Sequence, residues 1–305
     1  MVNPVLPLWT RRRRNLRNSR RELEVDIIFQ QCRLTDDDFK KFSALIYAKT
    51  GIHLKPEKKE LLHARLGKRL RACQLSSFTD YYDRVMHDAS GNELVHLINC
   101  VSTNFTGFFR ENAHFDFFSA TVLPQLAGRG NGAGAQCKVW SAACSSGEEP
   151  YTIAMVLARF MAGHAGFSSS ILATDISTKV LAIAEKGIYS LDKMDKVPPD
   201  YLKSFFQRGV GKCDGYVKIK EQLRRLVTFK RVNLMDPFPW KEEMDVIFCR
   251  NVMIYFTRET QAELAEKFYH CLAPDGYLFI GHSESLTSVA HLFRPVAATV
   301  YQKVK

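Results

Sequence analysis

From Leu34 to about Leu97, apolar positions recur at helical spacing and are punctuated by start and stop signals. The stretch LTDDDFKKFSALIYAKTG opens with Thr35 as an N-cap and ends at Gly51. A second helix, PEKKELLHARLGKRLRACQ, carries Pro56 in its first turn, where a missing N–H costs nothing. SFTDYYDRVMHD and NELVHLINCVST add two more, so a small all-helical unit is predicted.

After NFTGFFRENAHFDFFSATVLPQLAGR comes a Gly/Ala-rich stretch over 128–136 that reads as a loop or linker, and beyond it the periodicity changes. Short β-branched or aromatic runs (KVWSAA, SSILATDI, LVTFKRVNL, MDVIFCRN, GYLFIGH) alternate with helical segments such as PYTIAMVLARFMAG and TRETQAELAEKFYHCLA. That alternation predicts an α/β domain with a helix-covered parallel sheet, closed by a strand pair from ATVYQKV. One segment breaks it. GYVKIK and RRLVTF read as neighbouring strands, so a small antiparallel insertion is expected at about 187–225. The expected organisation is an arm over 1–24, a helical domain over 25–102, a connecting segment over 103–136 and the α/β domain over 137–305.

Composition removes several classes. The 305 residues are 46% hydrophobic and 25% charged, and no apolar run approaches the ~18–20 residues of a membrane-spanning helix, so no membrane insertion is expected. Eight cysteines stand singly with no CxxC pair, which indicates free thiols in a reducing cytosol and no metal site. The net charge of +11 is uneven. Residues 11–24 contribute a local +5, residues 55–72 another +5, and the remaining body is almost neutral. Two patches suited to an acidic partner explain this as well as a general polyanion surface does. The arginine-rich arm has no apolar stripe and reads as disordered; a transit peptide or a leftover upstream reading frame would look the same.

In an open α/β sheet the ligand sits at the carboxyl ends of the strands. KVWSAA is followed by Cys144-Ser145-Ser146-Gly147-Glu148-Glu149-Pro150, a small-residue turn entering a helix. SSILAT is followed by Asp175, at the spacing of an acid that holds ribose hydroxyls, although a helix N-cap would look the same. A phosphate cradle wants more glycine and no carboxylate, whereas this turn has one glycine and two glutamates. Either those glutamates are first-turn acids favoured by the helix dipole, or they face a cationic nucleoside. A ligand with a ribose, an ammonium and no phosphate fits, and S-adenosylmethionine is one.

The words NFTGFFRE (104–111), WSAACSSGEEPYTIA (140–154), ATDIS (173–177), VNLMDPFP (232–239), IFCRNVMIYF (247–256) and APDGYLFIGHSES (273–285) stand in one order along the chain. In these words the chain resembles the CheR family of chemotaxis receptor methyltransferases, over roughly 34–303. The resemblance implies a Rossmann-like S-adenosylmethionine-dependent methyltransferase domain with a β-subdomain insertion, behind an all-helical domain. It implies methyl transfer to glutamate carboxylates of receptor cytoplasmic helices, with S-adenosylhomocysteine as product, by a cytoplasmic, monomeric enzyme. The family's cofactor contacts fall on Asn104, Thr106, Arg110, Glu149 with or without Glu148, Asp175, Asn233, Leu234, Arg250 and Asn251. Arg110 would align the substrate carboxylate and Tyr255 would stand beside the methyl-transfer point.

Lys58, Arg65 and Arg69 fall within about 40° of one another on a helical wheel, and the resemblance places that helix against the receptor's glutamate-bearing helices. Gly209, Gly211 and Gly215 match a loop that in some members tethers a receptor's C-terminal peptide by strand addition; they also suit a tight turn. A nucleic-acid methyltransferase is the competing enzymatic reading, resting on the basic arm and Asp236-Pro237-Phe238-Pro239-Trp240. That motif belongs at the end of the fourth strand, where this chain has Cys249-Arg250-Asn251-Val252, so no nucleic-acid partner is expected. A docking module without activity is the non-enzymatic reading; intact Arg110, Asp175 and Asn251 speak against it.

Overall fold

The computed structural model describes residues 32–129 and 134–304, so the arm expected over 1–24 lies outside the described residues. Two compact units are present. One runs to Ala48 and resumes over Leu54–Val101; the other takes Lys49–His53 and Ser102 onward.

The first unit consists of α1 (Asp36–Thr50), whose last two residues count with the second unit, α2 (Lys59–Cys73), α3 (Phe78–His87) and α4 (Asn92–Val101). Local chemistry sets these boundaries. Thr35 Oγ1 accepts from Asp38 N at 3.0 Å while Thr35 N donates back to Asp38 Oδ2 at 3.2 Å, a reciprocal cap at the start of α1. Ser77 caps α3 in the same way, accepting from Asp80 N at 3.0 Å. Phe42, Ile46, Leu66, Leu70, Tyr81 and Leu97 are buried between the helices.

The second unit opens with α5 (Ala113–Phe117) and α6 (Leu123–Arg129), joined through a π-helical turn, Phe118–Val122. Strands β1 (Gln136–Ala142), β2 (Ser168–Asp175), β6 (Val227–Arg231), β7 (Met244–Cys249), β8 (Leu272–Ile280), β9 (Phe293–Ala297) and β10 (Val300–Lys303) form one sheet in the order β6-β2-β1-β7-β8-β10-β9. The first five run parallel and β10 returns antiparallel to β8 and β9. Chain order reverses between β1 and β7, so the crevice at their carboxyl ends is the switch point where such sheets bind ligands. Helices α7 (Glu148–Gly163), α8 (Thr178–Lys186) and α11 (Arg258–Cys271) connect these strands, with α9 (Pro199–Phe205) and α10 (Glu221–Arg224) between β2 and β6. No helix among the described residues is long and apolar enough to cross a membrane.

The insertion is a three-stranded antiparallel sheet, β3 (Ile188–Ser190), β5 (Tyr216–Ile219) and β4 (Phe206–Arg208), with β5 in the centre. RRLVTF is not part of it. Val227–Arg231 pairs parallel with β2, because α10 intervenes and carries the chain back to the main sheet. The DPFPW segment is likewise taken up by packing: Phe238 and Trp240 stack at 5.4 Å and lie edge-on to buried Trp140 at 4.7 and 4.8 Å. Those residues serve the core beneath β1, not the end of β7.

Candidate functional site at the strand ends

The turn after β1 is forced by its backbone. Ala143 and Ser145 hold left-handed φ of 59° and 50°, and Gly147 holds 95°. A Cβ on Gly147 would meet Ala184 Cβ and Tyr189 Oη at 2.8 Å, so no larger residue fits. Cys144 N donates to Thr174 O at 2.8 Å, bringing this turn beside the end of β2. There Asp175, 7% exposed, accepts from Ser145 N through Oδ2 and from Ser177 N through Oδ1, both at 2.9 Å. The N-cap of α8 is Ser177, which removes the capping explanation for Asp175. Burial raises the Asp175 carboxyl above its ordinary range, against the opposing pull of those N–H groups. Each carboxylate oxygen keeps a second lone pair for a hydroxyl.

The two glutamates at the start of α7 diverge. Glu149 accepts from Ser141 Oγ at 2.7 Å and from Arg250 Nη1 at 3.1 Å. Burial pushes its carboxyl up, and the Arg250 charge resists. Glu148 has no side-chain exposure; its oxygens take Ser146 Oγ at 2.6 Å and Lys193 Nζ at 2.7 Å. One oxygen is held by the β1 turn and the other by the insertion.

Arg250, at the end of β7, is 2% exposed in its side chain. Its fork reaches Glu149 through Nη1, and Arg110 O at 2.5 Å and Glu111 Oε2 at 2.9 Å through Nη2. Nε, also buried, has no partner among the described residues. Asn251, at a left-handed φ of 59°, donates through Nδ2 to Glu111 Oε1 at 3.0 Å. Burial opposes ionisation of Glu111, but the Asn251 and Arg250 bonds outweigh it and hold the carboxyl down to about 2. Glu284 fixes the same loop by accepting N–H groups from Asn251, Ile254 and Gly281 at 3.0, 3.2 and 2.6 Å. Glu111 and Glu284 were not singled out from the sequence, although both lie in quoted words, NFTGFFRE and APDGYLFIGHSES.

Of the other sequence candidates, Arg110 is half-buried; its Nη1 donates to Phe105 O at 2.9 Å and its guanidinium lies 5.5 Å over the Phe105 ring. Asn104 O accepts from Ser145 Oγ at 3.0 Å, so the 104–111 segment meets the β1 turn, and Thr106 is half-buried on it. Asn233 donates to Lys49 O at 2.9 Å, while buried Leu234 shares a hydrophobic cluster with Ala143 and Tyr255. Gly209, Gly211 and Gly215 lie between β4 and β5, and a Cβ at Gly209 would overlap the Cys213 carbonyl. In the first unit Lys58 is exposed, Arg65 Nη1 donates to Val101 O, and Arg69 is paired with Glu93 at 2.6 and 2.7 Å.

The donor set fits the cationic nucleoside expected from the sequence. Glu111 and Glu149 pair with buried Arg250, Glu284 holds the loop that follows it and Asp175 closes the β1 turn, so the strand ends carry four carboxylates, with hydroxyl acceptors in place of a phosphate cradle. With the parallel sheet, its switch point and its antiparallel closing strands, these features define an S-adenosylmethionine-dependent methyltransferase. Residues 104–302 match the family described as "CheR methyltransferase, SAM binding domain", and residues 37–102 match "CheR methyltransferase, all-alpha domain". The chain belongs to the CheR methyltransferase family. It is 41% identical over 273 residues to the "Chemotaxis protein methyltransferase" of Borreliella burgdorferi, covering 88% of this chain and 95% of the relative. Identity is 39% over 274 residues with "Chemotaxis protein methyltransferase 2" of Pseudomonas aeruginosa (89% and 95%), and 39% over 269 residues with the Escherichia coli "Chemotaxis protein methyltransferase" (88% and 91%).

Proposed function

We propose that the chain transfers a methyl group from S-adenosylmethionine to glutamate side chains of chemotaxis receptors, forming methyl esters for sensory adaptation. The observation that carries this reading is the division of labour between two arginines. Arg250 is buried and held by two carboxylates and a carbonyl. Arg110 is half-buried and spends one nitrogen on Phe105 O, and its other nitrogens make no hydrogen bond among the described residues. It therefore offers a planar, permanently charged fork to an incoming carboxylate. When bound, the cofactor supplies an electrophilic methyl group. A glutamate substrate is already ionised at neutral pH, so the protein has to align it, not deprotonate it.

Asp175 would hold the ribose hydroxyls, Glu149 the ammonium, and Asn233 with Leu234 the adenine. Asn104, Thr106, Arg250 and Asn251 would complete the cofactor site, with Tyr255 beside the transfer point. Glu149 is favoured over Glu148 because its side chain keeps 12% exposure, against none for Glu148. Receptor helices would meet the basic surface of α2 and of the helical turn Pro56–Lys58 before it, where Lys58 is exposed and Arg65 and Arg69 are half-buried. A receptor C-terminal peptide could add to β4, an edge strand of the insertion beside the glycine loop. The expected setting is the cytoplasm.

The test is transfer of labelled methyl from S-adenosylmethionine to acidic helical receptor fragments, scored as base-labile ester. Arg110→Ala should lose kcat far more than cofactor affinity, and Arg110→Lys should rescue it poorly because a point charge cannot reproduce the fork. Label in RNA instead of ester, or near wild-type turnover in Arg110→Ala, would overturn the reading.

A further inference from the structure

We infer that Glu111 is a positioning residue for the cofactor site, acting through Arg250 and Asn251; the inference rests on the proposed assignment of those two residues to that site. Glu111 stands 139 and 140 residues from them in sequence, yet one carboxylate binds both: Oε2 takes Arg250 Nη2 at 2.9 Å and Oε1 takes Asn251 Nδ2 at 3.0 Å. Arg250 Nη2 also grips the Arg110 carbonyl at 2.5 Å, so three consecutive features, the Arg110 backbone, the Glu111 side chain and the Arg250-Asn251 pair, form one closed unit.

The backbone makes the same point independently. Glu111 adopts φ of 55° and Asn251 φ of 59°, left-handed conformations that are unfavourable for a residue with a Cβ. The carboxylate–amide bond joins these two turns to each other, while Glu284 holds the Asn251 loop from its other side. Glu111 also lies near His114 and His282, a grouping whose ligand atoms all fall within 4.8 Å. The cation serving this cluster is Arg250, whose guanidinium already sits on Glu111 Oε2.

Glu111 is thus the link that transmits the placement of the 104–111 segment to the loop after β7. Removing its charge while keeping its shape leaves a neutral amide that cannot accept both bonds at full strength. The expected result is a weaker cofactor site even when the fold is retained.

A double-mutant cycle on S-adenosylhomocysteine binding, read by calorimetry, tests this. Asn251→Ala alone should weaken binding severalfold; if it does not, the assignment of Asn251 to the site fails, and the inference with it. Glu111→Gln should weaken binding about tenfold in the wild-type background and by a smaller factor in the Asn251→Ala background, because the Asn251 half of its route is gone while the Arg250 half remains. Equal losses in both backgrounds would mean that Glu111 does not act through Asn251, which overturns the inference, and no loss in the wild-type background would remove it from the site. Glu111→Asp, which keeps the charge but is one methylene too short to span both partners, gives the same readout if the Gln variant does not fold. Its affinity should fall severalfold below wild type, and wild-type affinity in that variant would overturn the inference.

Discussion

Arg69→Ala should destabilise the helical unit locally, and the size follows from its surroundings. The guanidinium forms a two-pronged pair with Glu93, Nε to Oε1 at 2.6 Å and Nη2 to Oε2 at 2.7 Å, with side-chain exposures of 21% and 6%. Both partners respond as a genuine pair does: hydrogen bonding to Arg69 lowers the Glu93 carboxyl, and the same bond raises the Arg69 guanidinium. Truncating one member of a buried pair costs about 3–5 kcal/mol, mostly from the charge left behind. Here Arg84 Nε remains 3.6 Å from Glu93 and Arg69 is partly solvated, which brings the expectation to about 3 kcal/mol. At 1.36 kcal/mol per decade that is roughly a hundredfold increase in the open population. Hydrogen exchange should show it in peptides from Lys59–Cys73 and Asn92–Val101, with little change in the β1–β7 strands. An acceleration below about threefold would refute the reasoning. The same geometry governs how docking is probed. Reversing Arg69 to Glu would place two carboxylates together and report on unfolding, whereas reversal at exposed Lys58 and Lys68 changes surface charge alone.

Lys58→Glu with Lys68→Glu should slow methylation of acidic receptor fragments without changing cofactor affinity, and the wild-type rate should fall with salt over the ~10 Å screening length at 0.1 M; a salt-independent rate would count against steering. Asp175→Ala should weaken cofactor binding by about 1–3 kcal/mol, and unchanged affinity in calorimetry would take Asp175 out of the site. Because burial raises the Glu149 and Asp175 carboxyls, affinity for the cationic cofactor should be full at neutral pH and fall as acid reaches them, before ordinary carboxylates titrate. Glu111 has the opposite sign: a carboxyl moved from 4.5 to about 2 adds about 3 kcal/mol of stability above its ordinary value, lost as pH falls from there towards 2. The stability gap between wild type and Glu111→Gln should therefore close at low pH, and a gap independent of pH would contradict the ion pair.

What was legible in the sequence is what is encoded locally. Thr35 and Ser77 mark helix starts within three residues of the groups they cap, and apolar periodicity places α1 to α4. Asp175 stands out because the open-sheet rule says where to look, whereas Arg250 was reached through the family resemblance. Glu111 and Glu284 escaped because their partners lie 139 and 33 residues away, and a carboxylate that folds a loop looks like any surface acid until the loop closes. The Arg69 pairing was out of reach in the same manner: a helical wheel shows which face a side chain is on, not that it meets Glu93 on α4. RRLVTF was a correct strand with the wrong neighbour, since short strands carry pairing information only in the connections around them.

The insertion touches the β1 turn at two points: Tyr189 Oη donates to Ser146 O at 2.8 Å, and Lys193 Nζ neutralises the fully buried Glu148 at 2.7 Å. It is therefore not a detachable accessory. Excising it would strand a buried carboxylate and a carbonyl in the turn at the end of β1, so a shortened chain would lose order in that turn as well as the insertion itself. Grafts of this subdomain between family members have to carry the tyrosine and the lysine with them, or replace Glu148 by an uncharged residue in the recipient.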